Sequence, residues 1–322
     1  LNENELISRE KNMKFGILGD AKISRNQLIP AMQENGFSIV HLGTRDPKRP
    51  KSPEKYGFSK IGQYDDVLSN PEVEAVYIPL PNHLHAEWSI KALNAGKHVL
   101  CEKPMALSLS EIAAVEKAAN LSNCYFQEAF MVRSHPQWEW LRKIEIGDAL
   151  HISAIFSYPP RPDGDIRNFA KMGGGPVWDI ACYTALAGIL IFESKPQLLF
   201  CNLQMDPNLD VEKDMNALID FGHGKRLYMH VSSAMGLSQC VHVTAQHGWA
   251  RLDAPFNPSE RATASWSLGN IGEGTKKIFE PCNQYALMLK NFKESCDNKS
   301  KPCFKQSKQI ISLLKQILDF RN

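Results

Sequence analysis

From residue 14 to about 125, short apolar runs alternate with segments of helical spacing. Lys14 to Gly19, Ser38 to Thr44, Ala75 to Pro79 and Lys97 to Cys101 read as strands. Ile23 to Glu34, His83 to Ala95 and Ser110 to Asn120 read as the helices between them, with Ser110 the expected N-cap of the last. Strands separated by helices of this size make βαβ units and a parallel sheet. Pro47, Pro50 and Pro53 interrupt the crossover after the second strand, which is expected to be short or irregular.

Beyond about residue 148 the pattern changes. Leu150 to Tyr158 alternates like a half-exposed strand, and Pro176 to Phe192 reads as one long helix. Strand-like runs follow at Gln197 to Gln204, Met215 to Phe221, Arg226 to Ala234, Gln239 to Gln246 and Trp249 to Leu252, with a hairpin signal at Gly222-His223-Gly224. Asn283 to Cys296 and Lys305 to Phe320 close the chain as helices. The expected organisation is an N-terminal extension over 1–12, a doubly wound parallel α/β domain over 13–126, and an α+β domain with an open, mostly antiparallel sheet over 127–322. The closing helices are free to pack back on the first domain.

Composition narrows the function classes. With 37 basic and 35 acidic residues among 322, there is no basic field of the kind nucleic acid requires. No apolar stretch reads as approaching the roughly 18 residues of a membrane helix, and residues 1–12 lack the apolar core of a signal peptide. None of the eight cysteines forms a C-x-x-C pair, so reduced thiols in a cytoplasmic protein are expected.

The first strand runs into Gly19-Asp20-Ala21-Lys22-Ile23-Ser24, which reads G-x-A-x-x-S where a dinucleotide fingerprint has three glycines. Alanine and serine are still small enough for a tight turn that holds a pyrophosphate on backbone N–H groups. The second strand ends Thr44-Arg45-Asp46, and a guanidinium there suits the 2′-phosphate of NADP, while Asp46, one residue on, leaves NAD open. The loop after the Ala75 to Pro79 strand carries Leu80, Asn82 and His85 at the same carboxyl edge, within reach of a cofactor, with an N-cap role the alternative for Asn82. His83 and His85 form H-x-H without a further ligand at useful spacing, so no metal is expected. Glu102-Lys103-Pro104 directly follows a buried strand, and Gly173-Gly174-Gly175 leads to Asp179 and Tyr183, four apart on one helix face.

These motifs resemble the Gfo/Idh/MocA oxidoreductases in unbroken order from Lys14 to Phe320. The resemblance is carried by Gly16 to Gly19 with Ala21, Tyr77 to Trp88, Ala95 to Pro104, Glu128 to Met131 with Arg133 and His135-Pro136, Gly173 to Tyr183, and Pro255 to Pro258. It is nearest to the NAD(P)-dependent aldose (xylose-type) dehydrogenases, dimeric dihydrodiol dehydrogenases and glucose–fructose oxidoreductase. The resemblance implies a Rossmann domain, a nicotinamide between the two domains, Lys103 on substrate or cofactor, and often a cis peptide at Lys103–Pro104. Tyrosine at 183 fits that branch, whereas many relatives have histidine there. Asp20 departs from the usual small neutral residue, and its charge would weaken pyrophosphate binding.

For the chemistry, Tyr183 is the expected acid or base, Lys103 the cation that lowers the phenol pKa and binds the reacting oxygen, and Asp179 the group that holds a sugar hydroxyl or orients Lys103. Arg133, His135 and Arg167 are expected to line the substrate pocket, Trp178 to stack on substrate or nicotinamide or belong to the core, Glu128 to reach the cofactor, and Tyr285 to do so by analogy alone. The expected function is an NAD(P)-dependent oxidoreductase acting on a sugar, polyol or related cyclic alcohol or carbonyl. The alternatives are a non-catalytic cofactor-binding regulator and a dicarbonyl or anhydro-sugar reductase. An apolar sheet face is expected to pair as a homodimer.

Overall fold

The computed structural model describes residues 12–48, 50, 56–259, 261–269 and 274–320. Six short strands, β1 (Lys14–Leu18), β2 (Ser38–Gly43), β3 (Lys60–Gly62), β4 (Ala75–Ile78), β5 (His98–Cys101) and β6 (Phe126–Glu128), form a parallel sheet in the order β3-β2-β1-β4-β5-β6. Every residue of β4 is buried, as the unbroken apolar runs require when helices cover both faces. The chain order reverses beside β1, and the carboxyl ends of β1 and β4 open a crevice there.

The helices are α1 (Ile29–Glu34), entered through a π-helical turn at Ser24–Leu28, α2 (Tyr64–Ser69), α3 (His85–Asn94), α4 (Leu109–Ser122) and α5 (Pro136–Lys143). Among the described residues, the interrupted crossover holds β3 and the six-residue α2; Pro53 lies outside them. The cap of α4 is Ser108, not Ser110: the Ser108 hydroxyl accepts from Glu111 N at 3.2 Å, and the Glu111 carboxylate accepts from Leu107 N.

The second sheet contains β7 (Ala149–Ser157), β8 (Gln197–Met205), β9 (Glu212–Asp220), β10 (Arg226–Ser232), β11 (Ser238–Ala245), β12 (Gly248–Leu252), β13 (Thr263–Leu268) and β14 (Thr275–Ile278). Its order is β14-β13-β12-β11-β7-β10-β9-β8, and the β7–β10 pair is parallel while the other neighbours run antiparallel. Helix α6 (Cys182–Phe192) packs on one face, over Met215, Ala217, Ile219, Leu227, Met229 and Val231, all buried. The helix runs over residues 176–192 as the pattern suggested, its first part the π-helical turn Val177–Ala181. Contrary to expectation, the stretch Ala170–Phe192 contains a window of mean hydropathy 1.5, apolar enough to cross a membrane, but 83% of that window is buried inside the protein.

The opposite face departs from expectation. Alternation puts Asn202, Asn216, His230, Ile155 and Cys240 in one cross-strand row, and Gln204, Asp214, Ser232, Ser157 and Ser238 in the next. That face is mixed, its polar rows broken by Ile155, Leu218, Tyr228 and Phe200, because the more buried apolar residues of these strands point to the α6 side. The last two helices, α7 (Gln284–Asp297) and α8 (Lys305–Asp319), return to the parallel sheet. Phe292 of α7 lies 6.0 Å from Phe15 of β1, and Ser307 of α8 donates to Glu128 of β6 at 2.5 Å.

Candidate active site

A cleft of about 1000 Å³ runs from the loop after β1 to the start of α6. At its first end Gly19 has φ +121°, a conformation that L side chains rarely adopt, and a Cβ there would stand 3.1 Å from Leu80 Cδ2. The one glycine of the fingerprint that survives in the sequence is the one the backbone needs. Asp20, Ala21, Lys22, Ile23, Thr44 and Arg45 form the wall around it. Asp20 is paired: Arg25 Nη1 donates to its Oδ1 and to its backbone oxygen, each at 2.7 Å.

The middle of the cleft is stapled. Tyr77 donates its hydroxyl to Glu102 Oε1 at 2.7 Å, below the cis peptide Lys103–Pro104. The ring nitrogens of His85 lie 2.7 Å from Pro104 O and 2.6 Å from Leu80 O. Burial pushes the His85 pKa down to about 4 against the pull of those two carbonyls; the neutral ring donates to one of them only, while the charged ring donates to both, and His85 also lines the cleft. Asn82 caps no helix; its Nδ2 donates to Gly173 O at 2.8 Å, bridging the two halves of the molecule.

At the far end lies a buried ion network. Gly175, at φ +89°, lets the chain pass Glu212, whose Oε1 would sit 2.3 Å from any Cβ there and accepts from Val177 N at 2.9 Å. This fixes the turn Val177–Ala181 that carries Asp179. Lys103 Nζ reaches Asp179 Oδ1 at 3.1 Å and Asp179 O at 2.5 Å, and Arg167 Nε reaches Asp179 Oδ2 at 2.7 Å. Burial alone would raise the Asp179 pKa, but the charges of Lys103 and Arg167 outweigh it and hold the carboxyl well below the usual range. Burial likewise opposes the Lys103 charge, and Asp179 more than restores it.

Tyr183 stands one turn on, its ring centroid 5.0 Å from Lys103 Nζ and its hydroxyl 3.6 Å from Met131 Sδ. Its pKa is pushed well above the ordinary phenol value, by burial first and then by Tyr285 and other neighbours. The expected lowering by Lys103 does not occur, because that ammonium is engaged by Asp179. Tyr285, at the start of α7, is on the cleft wall.

Other expected residues are placed elsewhere. Trp178 is buried off the cleft. Glu128 is a buried brace, accepting from Met105 N at 2.9 Å and from Ser307. The Arg133 guanidinium lies 5.2 Å over the Phe130 ring, and His135 caps α5 by accepting from Gln137 N at 3.2 Å; neither lines the cleft. Conversely, Arg25 and Tyr158 line it without having been singled out. Tyr158 ends the alternating run at the carboxyl end of β7, a strand-end position that could have flagged it; burial and the neighbouring Asp179 charge keep its phenol protonated.

Comparison with known proteins gives the geometry a context. Residues 13–130 match the oxidoreductase family with an NAD-binding Rossmann fold, and residues 138–251 match the GFO/IDH/MocA C-terminal domain. An oxidoreductase of Rhizobium meliloti is 33% identical over 87% of each chain. The D-xylose 1-dehydrogenase (NADP(+)) 2 of Haloferax volcanii is 30% identical over 90% of this chain and 91% of its own. A 3-ketoreductase of Actinomadura kijaniata, crystallised with NADP and TDP-benzene, superposes with a TM-score of 0.90 at 25% identity, over 96% of this chain and 98% of that one.

Proposed function

The chain belongs to the Gfo/Idh/MocA oxidoreductase family, and from that premise we propose that it transfers a hydride between NADP and a sugar, polyol or related cyclic alcohol or carbonyl. It is an NAD(P)-dependent oxidoreductase; the sugar class, the preference for NADP and the residue roles are the proposal. One observation carries it: a charged lysine and a protonated tyrosine meet around Asp179, at the other end of the cleft that begins at the Gly19 turn.

The residues present fit a dinucleotide, since the Gly19 turn is a cradle that a Cβ would strain and Arg45 is a strand-end cation on the same wall. A bound nicotinamide gives or takes the hydride at the substrate carbon. The chain's own residues manage the oxygen and its proton. Tyr183, kept protonated by burial, donates to the alkoxide oxygen that forms on reduction. To do so its hydroxyl leaves Met131 Sδ, a weak acceptor that is easily exchanged for oxygen. Lys103, aimed by both oxygens it meets on Asp179, hydrogen-bonds the same substrate oxygen and stabilises its charge. Asp179 and Arg167 hold that ammonium in place, and Arg167 borders the substrate.

The name of the Haloferax volcanii protein, a D-xylose dehydrogenase using NADP(+), and the NADP bound by the Actinomadura kijaniata 3-ketoreductase support this reading over a non-turning regulator. A screen of aldoses, inositols and dihydrodiols with NADP⁺ and NAD⁺ tests it. Turnover with at least one sugar, at lower KM for NADP⁺, is expected; tight NADP binding without any turnover would favour the regulator. A cytoplasmic homodimer completes the proposal, in keeping with eight free thiols and the broad outer sheet face. With Tyr228 and Phe200 its exposed aromatics, that interface would be wet and hydrogen-bonded, and a monomer at micromolar concentration by light scattering would contradict it.

A further inference from the structure

We propose that Asp20 and Arg25 form a charge-exchange pair in the phosphate loop, in which Asp20 limits cofactor affinity by competing with the pyrophosphate for the Arg25 guanidinium. The inference rests on the NAD(P) reading and concerns how this chain tunes it. Arg25 follows the fingerprint by one residue, and both side chains line the cofactor end of the cleft. They are largely withdrawn from water, with side-chain exposures of 20% for Arg25 and 5% for Asp20, so the charge between them is weakly screened.

The geometry separates two roles that Asp20 combines. Arg25 Nη1 bonds the backbone oxygen of Asp20 at 2.7 Å as well as Oδ1 at 2.7 Å. The first bond is enough to orient the guanidinium; the second adds a negative charge beside it. Both bonds use one terminal nitrogen, so the guanidinium fork, which suits a phosphate bidentately, is not consumed by them. An arriving diphosphate therefore meets an arginine already aimed but partly neutralised, next to a buried carboxylate that repels it. The carboxylate yields Arg25 to the phosphate on binding and recovers it on release.

Asparagine at position 20 would keep both acceptors and remove only the charge. Fluorescence titration of NADPH and NADH onto wild type, Asp20→Asn and Arg25→Gln tests the exchange without any substrate. Asp20→Asn is expected to lower Kd for both dinucleotides by roughly fivefold, the scale of one partly screened charge pair. The NADPH-to-NADH ratio should stay put, since the pyrophosphate is common to both. Arg25→Gln should raise both Kd values. Unchanged or weaker binding by Asp20→Asn, a shifted ratio, or wild-type binding by Arg25→Gln would overturn the proposal while leaving the cofactor reading intact. A wild-type chain that binds neither dinucleotide would overturn both. Circular dichroism melts establish that each variant is folded, and Asp20→Ala, expected to shift both Kd values in the same direction, replaces Asp20→Asn should the latter not fold.

Discussion

The two ends of the cleft handle charge in opposite ways. At the α6 end, Lys103 and Asp179 are buried, each with a side-chain exposure of 12%, and paired through three hydrogen bonds that include Arg167. At the phosphate-loop end, Arg45 and Lys22 are exposed, and a tight pair, Asp20 with Arg25, is poised for exchange. A reacting oxygen needs donors fixed before it arrives, because reorganising them in the transition state would cost rate. A dinucleotide that must come and go needs contacts that can be traded. The difference teaches where rigidity is required: substitutions at the α6 end should strike turnover, and stability too where a buried charge loses its partner, and those at the other end should strike affinity alone.

Lys103→Met sharpens this contrast most. It should lower kcat by roughly 10²–10³-fold, the scale of losing one preorganised donor, while the Kd for NADPH moves little. Steady-state kinetics beside a fluorescence titration measure both, and a near-wild-type kcat would sink the assignment. Tyr183→Phe should cost roughly 10²-fold in kcat through loss of the proton donor. Its melting temperature should barely move, since the hydroxyl's partner among the described residues is the weak acceptor Met131 Sδ. An equal fall in stability would show that the hydroxyl is structural.

Asp179→Asn should destabilise by about 2 kcal/mol at pH 7, because the buried Lys103 ammonium loses its counter-charge, while Arg167, part-exposed and still paired with Asp165, loses less. The carboxyl pKa is depressed in the fold, so its contribution is complete above the unfolded value near 3.9 and fades as pH falls through the folded one. The melting-temperature gap between variant and wild type should thus hold from neutral pH to about 4 and narrow below it; a gap that widens in acid would contradict the network. Arg45→Ala is the mildest. It should shift the NADPH-to-NADH affinity ratio by roughly tenfold without changing kcat, and an unmoved ratio would remove Arg45 from the 2′-phosphate site.

Much of this contrast was legible in the sequence. Buried parallel strands such as Ala75–Ile78 announce themselves as unbroken apolar runs, and the Lys103 and Tyr183 positions follow from a strand end and a helix turn. Side-chain direction was harder. Glu128, Arg133 and Trp178 sit within motif segments yet turn away from the cleft, because their partners (Ser307, Phe130 and the core) come from distant parts of the chain or from packing. The Ser108 cap was missed because Ser108 and Ser110 both precede the helical spacing, and only the reciprocal bonds with Glu111 choose between them. Tyr158 went unremarked because alternation marks a strand without saying which end meets a ligand. The pull of Lys103 on Tyr183 was misjudged for want of knowing that Asp179 already holds the ammonium.

A structure of the NADP⁺ complex with a bound sugar bears most directly on the mechanism. The nicotinamide C4 is expected beside a sugar carbon whose oxygen lies within hydrogen-bond reach of both Lys103 Nζ and a Tyr183 hydroxyl turned off Met131. A nicotinamide seated away from that pair, or a Tyr183 hydroxyl still on the thioether with sugar bound, would contradict it.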